Sequence, residues 1–315
     1  MPRLVIAVGG NALLPPGNNS VEEQESNIDK ITPHIAKLAR LGYDIILAHG
    51  NGPHVGNILI QNEEAREKVP RNPMDICVAM SQGQIGYMLQ QSLANEFLKE
   101  KEARSVFALV SEVLVDPNDE AFRNPTKPIG PYYRKRRASQ LMKRKGWVME
   151  EDKVRGGYRR LVPSPLPLEV LELEGIREYL RTKPRGKVII VGGGGGIPVI
   201  KKGGEYRGVA AVVDKDCTAS LLARELMAET LALVTDVDKV SLNWGTKEQV
   251  DLDSMTLAEA KQNLADEQFP PGSMGPKIGA AIEFLEAGGK RAIICSLDGF
   301  PEALEGRAGT TITPE

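Results

Sequence analysis

Histidine is scarce in this chain: His34, His49 and His54 are the only three in 315 residues. No HExxH pair and no GxSxG elbow is present, which removes zinc-hydrolase and serine-hydrolase chemistry. Cysteine is as scarce. Cys77, Cys217 and Cys295 are an odd number without CxxC spacing, so neither a disulfide framework nor a thiolate zinc site is indicated, and a reducing cytoplasm fits. Net charge is nearly absent, with 40 Lys and Arg against 42 Asp and Glu, and aromatic residues make up only 5%. The chain therefore lacks both the bulk attraction and the stacking platforms that nucleic-acid binding uses. Long apolar runs are missing too: the longest, Val188 to Ile200, is broken by five consecutive glycines and falls short of the roughly 20 residues of a bilayer span. Leu4 to Val8 is too short for a signal-peptide core. Neither nucleic acid nor membrane is an expected partner.

What is present is alternation. Short apolar runs at Leu4 to Val8, Tyr43 to Ala48, Val106 to Val110, Val188 to Val191, Thr230 to Val234 and Ala292 to Ser296 read as strands. Between them lie helical patterns from Val21 to Leu41, after Pro53 and over Ala79 to Lys99. Such a sequence predicts an α/β fold, a mostly parallel sheet with helices on both faces. The stretch 116–167 breaks the rhythm with its prolines, the basic run Arg134 to Arg137 and a hairpin signal at Gly156-Gly157. It is expected to be a protruding lid within one domain of 315 residues.

Ligands of open α/β sheets lie outside the carboxyl ends of the strands. Glycines stand at four such places: Gly9-Gly10-Asn11, Gly50-Asn51-Gly52, Gly192 to Gly196, and Gly272-Ser273-Met274-Gly275. Any one loop could be only a tight strand-to-helix turn; four together favour a phosphate site, where backbone N–H groups and helix N-termini meet an anion. None is a P-loop, because Gly289-Lys290 is followed by Arg291 and Gly186-Lys187 by Val188. The dinucleotide fingerprint fails as well, since the glycine after Gly50-x-Gly52 comes at Gly56, one residue late. Lysines accompany the loops at Lys127, Lys215 and Lys277. A lone lysine is usually a solvated charge. Lys277 is less ordinary, because it starts a helix where its charge opposes the macrodipole unless an anion is near. Asp214 and Asp216 flank Lys215 and could either neutralise it or hold it in place.

The ordered series Gly9-Gly10-Asn11-Ala12, His49-Gly50-Asn51-Gly52-Pro53, Asn124 to Pro131, Pro163-Ser164-Pro165, Gly193 to Pro198, Asp214-Lys215-Asp216 and Gly272 to Lys277 resembles the carbamate kinases through essentially the whole chain. The resemblance implies the amino-acid-kinase fold, with an eight-stranded, mostly parallel sheet between helices, a lid over the site, and a homodimer. It also implies reversible phosphoryl transfer between ATP and carbamate, giving carbamoyl phosphate and ADP, with Mg2+ carried on the nucleotide phosphates. By the same resemblance Lys127, Lys215, Lys277 and Asp216 are catalytic. Gly9, Gly10, Asn11, Gly50, Asn51 and Gly52 belong to the acceptor in the N-terminal half. Gly193, Gly194, Asp214, Thr235, Asp236, Val237, Ser273, Met274 and Lys277 belong to the nucleotide in the C-terminal half. Some relatives carry a lysine where this chain has Ala7, so Lys127 is expected to supply that charge. Three residues depart from the family pattern: His54 in place of Gln, the long glycine run, and Cys217 in place of an apolar residue. A superfamily kinase for a larger acid, or a regulator without activity, is the alternative; the lid motif around Lys127 and the retained lysines weigh against both.

Overall fold

The computed structural model describes residues 2–14, 20–152, 156–270 and 272–315. An eight-stranded sheet runs in the order Ser254–Thr256, Thr310–Thr313, Arg291–Ser296, Thr230–Thr235, Arg3–Val8, Asp44–His49, Val188–Ile190, Val106–Ala108. The last six of these strands are mutually parallel, and Thr310–Thr313 runs antiparallel to its neighbour Arg291–Ser296. Successive side chains point to opposite faces. Val5, Ala7, Ile46, Ala48, Leu231 and Leu233 join the core formed with helices Lys215–Glu225 and Met274–Glu286. Leu4, Ile6, Val8, Ile45, Leu47 and Val234 join the core formed with helices Val21–Arg40 and Met74–Lys99. Burial on both faces is why these strands appear in the sequence as unbroken apolar runs. Fully burying one Leu or Ile is worth about 1.5–3 kcal/mol, so the central strands fix the carboxyl ends rigidly.

Helix starts follow local chemistry. Ser20 caps Val21–Arg40, its Oγ accepting the Glu23 N–H at 3.2 Å, and Thr256 with Glu259 forms a capping box on Leu257–Ala265. Met74–Lys99 begins five residues before its predicted start, directly after Pro73. No helix among the described residues is long and apolar enough to cross a membrane.

Two features were not foreseen. Strands Glu112–Val115, Pro167–Val170, Ile197–Lys202 and Glu205–Gly208 form a second sheet, and Val240–Leu242 pairs with Val250–Leu252 in a hairpin. The protruding segment contains a three-stranded sheet, Lys127–Tyr133, Tyr158–Val162 and Val148–Glu151, with helix Lys135–Lys145. Its hairpin at Gly156-Gly157 lies partly outside the described residues. The lid is seated on helix Gly52–Glu64: a Cβ on Gly56 would stand 2.0 Å from Gly130 Cα, so only glycine permits this approach. Glu63 completes the seat by accepting Lys145 at 2.6 Å together with Arg66 and Arg71, which hold its carboxyl far below the usual range at about 2.

Candidate active site

The carboxyl ends of Arg3–Val8, Asp44–His49 and Thr230–Thr235 open into a cavity of about 710 Å³. It is lined by Gly9, Gly10 and Asn11, by Gly50, Asn51 and Gly52, by Thr235, Asp236 and Val237, and by Ser273 and Met274. Lys127, Asp214, Lys215, Asp216, Lys277 and Gly194 complete the expected set. Gly193 is the exception. It lies behind the wall, where its carbonyl accepts Gln82 Nε2 at 2.9 Å.

The glycines do less for a ligand than their number suggests. The Gly9 N–H donates to Val234 O and the Gly50 N–H to Val8 O, each at 2.8 Å. Donors remain at Asn51 and Gly52, where a helix begins whose first N–H groups have no acceptor within the helix. A Cβ on Gly50 would meet Gly10 N at 2.5 Å and Lys215 Cδ at 3.2 Å, so this glycine makes room for the lysine stem. In the run 192–196, Gly194 at φ +63 lies against the Asn51 side chain, whose Nδ2 donates to Ser81 Oγ at 2.8 Å. That run is mainly packing.

Charge is concentrated at the start of helix Lys215–Glu225. Asp214 caps it, accepting the Asp216 N–H at 2.9 Å, and its other oxygen takes Lys127 from the lid. Asp216 takes Lys215 on one oxygen and Lys277 on the other, the latter at 3.1 Å. Three ammonium groups thus pair with two carboxylates, and Asp236 adds its charge toward Lys277. Asp216 is only 3% exposed and Lys215 only 8%. Burial pushes the Asp214 and Asp216 carboxyls up, yet the lysines outweigh it and both stay ionised. Burial lowers Lys215 in spite of Asp216, whereas for Lys277 the two aspartates overcome burial and raise it. Three ammonium groups brought together at one wall of the cavity are donors for an anion's oxygens.

Of the departures from the family pattern, His54 and Cys217 lie outside the cavity lining, while the long glycine run reaches it at Gly194. His54 is buried with Nε2 2.9 Å from Gln24 Oε1, tying two helices together, and burial with the neighbouring His49 lowers it to about 4. Burial pushes the Cys217 thiol up to about 12. Ala7 is fully buried. Sequence reasoning missed Arg159, Glu150, Glu151 and Asp152 on the lid, and Lys239, Ser241 and Trp244 on the Val240–Leu242 hairpin and its turn, all of which line the cavity. A tryptophan within Asn243-Trp244-Gly245, one of two in the chain, was the available signal for the hairpin.

The model of the amino acid kinase family matches residues 2–296. Carbamate kinase of Pyrococcus horikoshii is 44% identical over 315 residues, 99% of each chain. Among solved structures, carbamate kinase from Giardia lamblia bound to citric acid superposes with a TM-score of 0.90 at 40% identity, covering 99% of this chain and 98% of that one. The same enzyme bound to AMP-PNP gives 0.87 at 40% identity and the same coverage. The chain belongs to the amino acid kinase family and, within it, to the carbamate kinases.

Proposed function

We propose that this protein transfers a phosphoryl group reversibly between ATP and carbamate, making ATP from carbamoyl phosphate and ADP in the reverse direction. The observation that carries the reading is the cluster of three lysines on Asp214 and Asp216, set between two glycine loops and the Ser273-Met274 turn. Carbamate is already an anion, so transfer needs alignment and charge neutralisation rather than a side-chain base. Lys215 and Lys277 neutralise the nucleotide and the transferring group, Asp216 orients both, and Lys127 brings a third charge from the lid. The N-terminal half holds the acceptor at Asn11, Asn51 and Gly52; the C-terminal half holds the nucleotide along Thr235, Asp236, Val237, Ser273 and Met274. Mg2+ carried on the nucleotide phosphates would offset part of their charge. Asp214 and Asp216 are engaged by lysines, so the metal would be held mainly by phosphate oxygens.

Homodimerisation is part of the proposal. Ile76, Met80 and Tyr87 form an exposed stripe on helix Met74–Lys99, beside exposed Phe107 on the edge strand and Val110 after it. A cytoplasmic setting fits three free cysteines. The decisive assay is ATP formation from carbamoyl phosphate and ADP, with acetylglutamate, glutamate and aspartate as competing acceptors in the forward direction. Activity with carbamate alone is the expected result; comparable turnover with an amino-acid acceptor would overturn the assignment. Light scattering should give twice the 34.3 kDa chain mass.

A further inference from the structure

Helix Gly52–Glu64 carries the lid at three places along a length of about 20 Å, from 13 residues at 1.5 Å each. Val55 and Ile58 pack with Ile129 and Val162 of the lid sheet, and Gly56 meets Gly130. These two contacts hold no charge. The third, at the far end of the helix, is ionic. Lys145, the last residue of lid helix Lys135–Lys145, places its Nζ 2.6 Å from Glu63 Oε1. Arg66 and Arg71 approach the same carboxylate at 2.7 and 3.2 Å.

The charges around that carboxylate are one-sided. The lid helix is basic at both ends and holds no acid, and among the described residues the pair with Glu63 is its one ion pair. Just beyond it, the Trp147 ring has Lys145 Nζ 5.3 Å and the Arg160 guanidinium carbon 4.4 Å from its centre. Burial disfavours the Arg160 charge, and Tyr133 and Glu63 support it. One carboxylate thus serves Lys145, Arg66 and Arg71 directly and Arg160 at longer range. Glu63 also stands in the last turn of its own helix, where a negative charge opposes the macrodipole, so its own helix gains nothing from it. Strand Tyr158–Val162, which carries Arg160, is paired with Lys127–Tyr133, so a shift at the Trp147 end is passed to Lys127. We infer that Glu63 is a positioning residue: by neutralising the cations that meet at Trp147 it keeps the lid on helix Gly52–Glu64, and with it Lys127 on Asp214. This inference rests on the function proposed above and adds what holds the lid in its working place.

The test measures ATP formation and calorimetric ADP binding in wild type, Glu63→Gln, Glu63→Asp, Lys145→Gln and the double variant Glu63→Gln with Lys145→Gln. Trp147 emission is read for each in a Trp244→Phe background, where it is the remaining tryptophan. Glu63→Gln leaves the cations facing one another, so kcat should fall about tenfold, the lower end for losing a charge-assisted hydrogen bond. ADP affinity should stay within about twofold, and Trp147 emission should shift to the red as water reaches the ring. Lys145→Gln loses the contact without creating repulsion and should cost only about threefold. The double variant should then match Lys145→Gln rather than multiply the two effects, and Glu63→Asp, which keeps the charge, should recover part of kcat. The inference is overturned if Glu63→Gln keeps kcat within twofold, if the two effects multiply, or if kcat falls with Trp147 emission unmoved. Should Glu63→Gln fail to fold, Lys145→Gln with wild-type kcat and emission overturns it as well. Inactive wild type would overturn the proposed function, whereas the Trp147 readings need no turnover and judge the seat by themselves.

Discussion

Replacing Lys277 by alanine should separate catalysis from stability. Its Nζ lies 3.1 Å from Asp216 Oδ2, and Asp216 keeps a second partner in Lys215. Breaking a buried ion pair usually costs about 3–5 kcal/mol, because one charge is left alone. Here the deletion leaves Lys127 with Asp214 and Lys215 with Asp216, so both carboxylates keep an ammonium partner and most of that penalty does not arise. The melting temperature of the ligand-free protein should move by no more than about 2 °C, below roughly 1 kcal/mol for a chain of this size. Turnover should fall about 10²- to 10³-fold, or about 2.7–4 kcal/mol of transition-state stabilisation. Asp216→Asn is the reverse case. It leaves three lysines facing one carboxylate, should lose about 3–5 kcal/mol of stability, and should regain part of it with ATP, whose phosphates supply the missing negative charge. Scanning calorimetry with and without ATP, together with initial rates of ATP formation, measures both effects. If Lys277→Ala keeps activity within about threefold, or unfolds as readily as Asp216→Asn, the charge balance assigned to this cluster is wrong.

Three further outcomes are expected. Lys127→Ala should lower kcat strongly while nucleotide affinity, read by calorimetric titration, changes little, because this lysine comes from the lid and pairs with Asp214; near-wild-type turnover would make it a lid surface charge. Gly50→Ala should cost at least about tenfold in kcat/KM, since its Cβ would meet Gly10 N at 2.5 Å, whereas Gly52→Ala, with Pro128 O 3.8 Å away as its nearest contact, should be sterically tolerated. His49 and His54 are both lowered by burial from 6.5 to about 4, so the unfolded chain binds more protons than the fold between these values. Their contribution is complete above pH 6.5 and is lost as pH falls toward 4, at up to about 1.4 kcal/mol per pH unit for each histidine. Urea midpoints at pH 7 and 5 should show this drop, His54→Gln should lessen it, and a flat profile would contradict the burial argument.

The large sheet was legible because its central strands are apolar on both faces, and such runs survive any register. The second sheet was not. Glu205–Gly208 is exposed throughout, and Pro167–Val170 opens with a proline, so neither carries a strand pattern strong enough to separate from loop. At the site, the residue types and their order along the chain pointed to the loops and lysines, but their pairing did not follow: nothing in Asp214-Lys215-Asp216 says that one aspartate holds the lid lysine while the other holds two lysines. The glycine run at 192–196 follows a strand as the other loops do, and only its tertiary neighbours, His49, Asn51 and Val213, reveal how closely it is packed. Arg159 and Arg160 are adjacent and chemically identical in sequence. Strand register alone sends one to the cavity and the other to Trp147.

Phosphorus NMR of the protein mixed with ADP, Mg2+ and carbamoyl phosphate follows the reaction without a coupling enzyme. The account predicts that the carbamoyl phosphate signal declines in step with a growing γ-phosphate signal of ATP, and that the same transfer becomes about 10²- to 10³-fold slower with Lys277→Ala. Decay to inorganic phosphate at the rate of the protein-free control, with ADP unchanged, would contradict it.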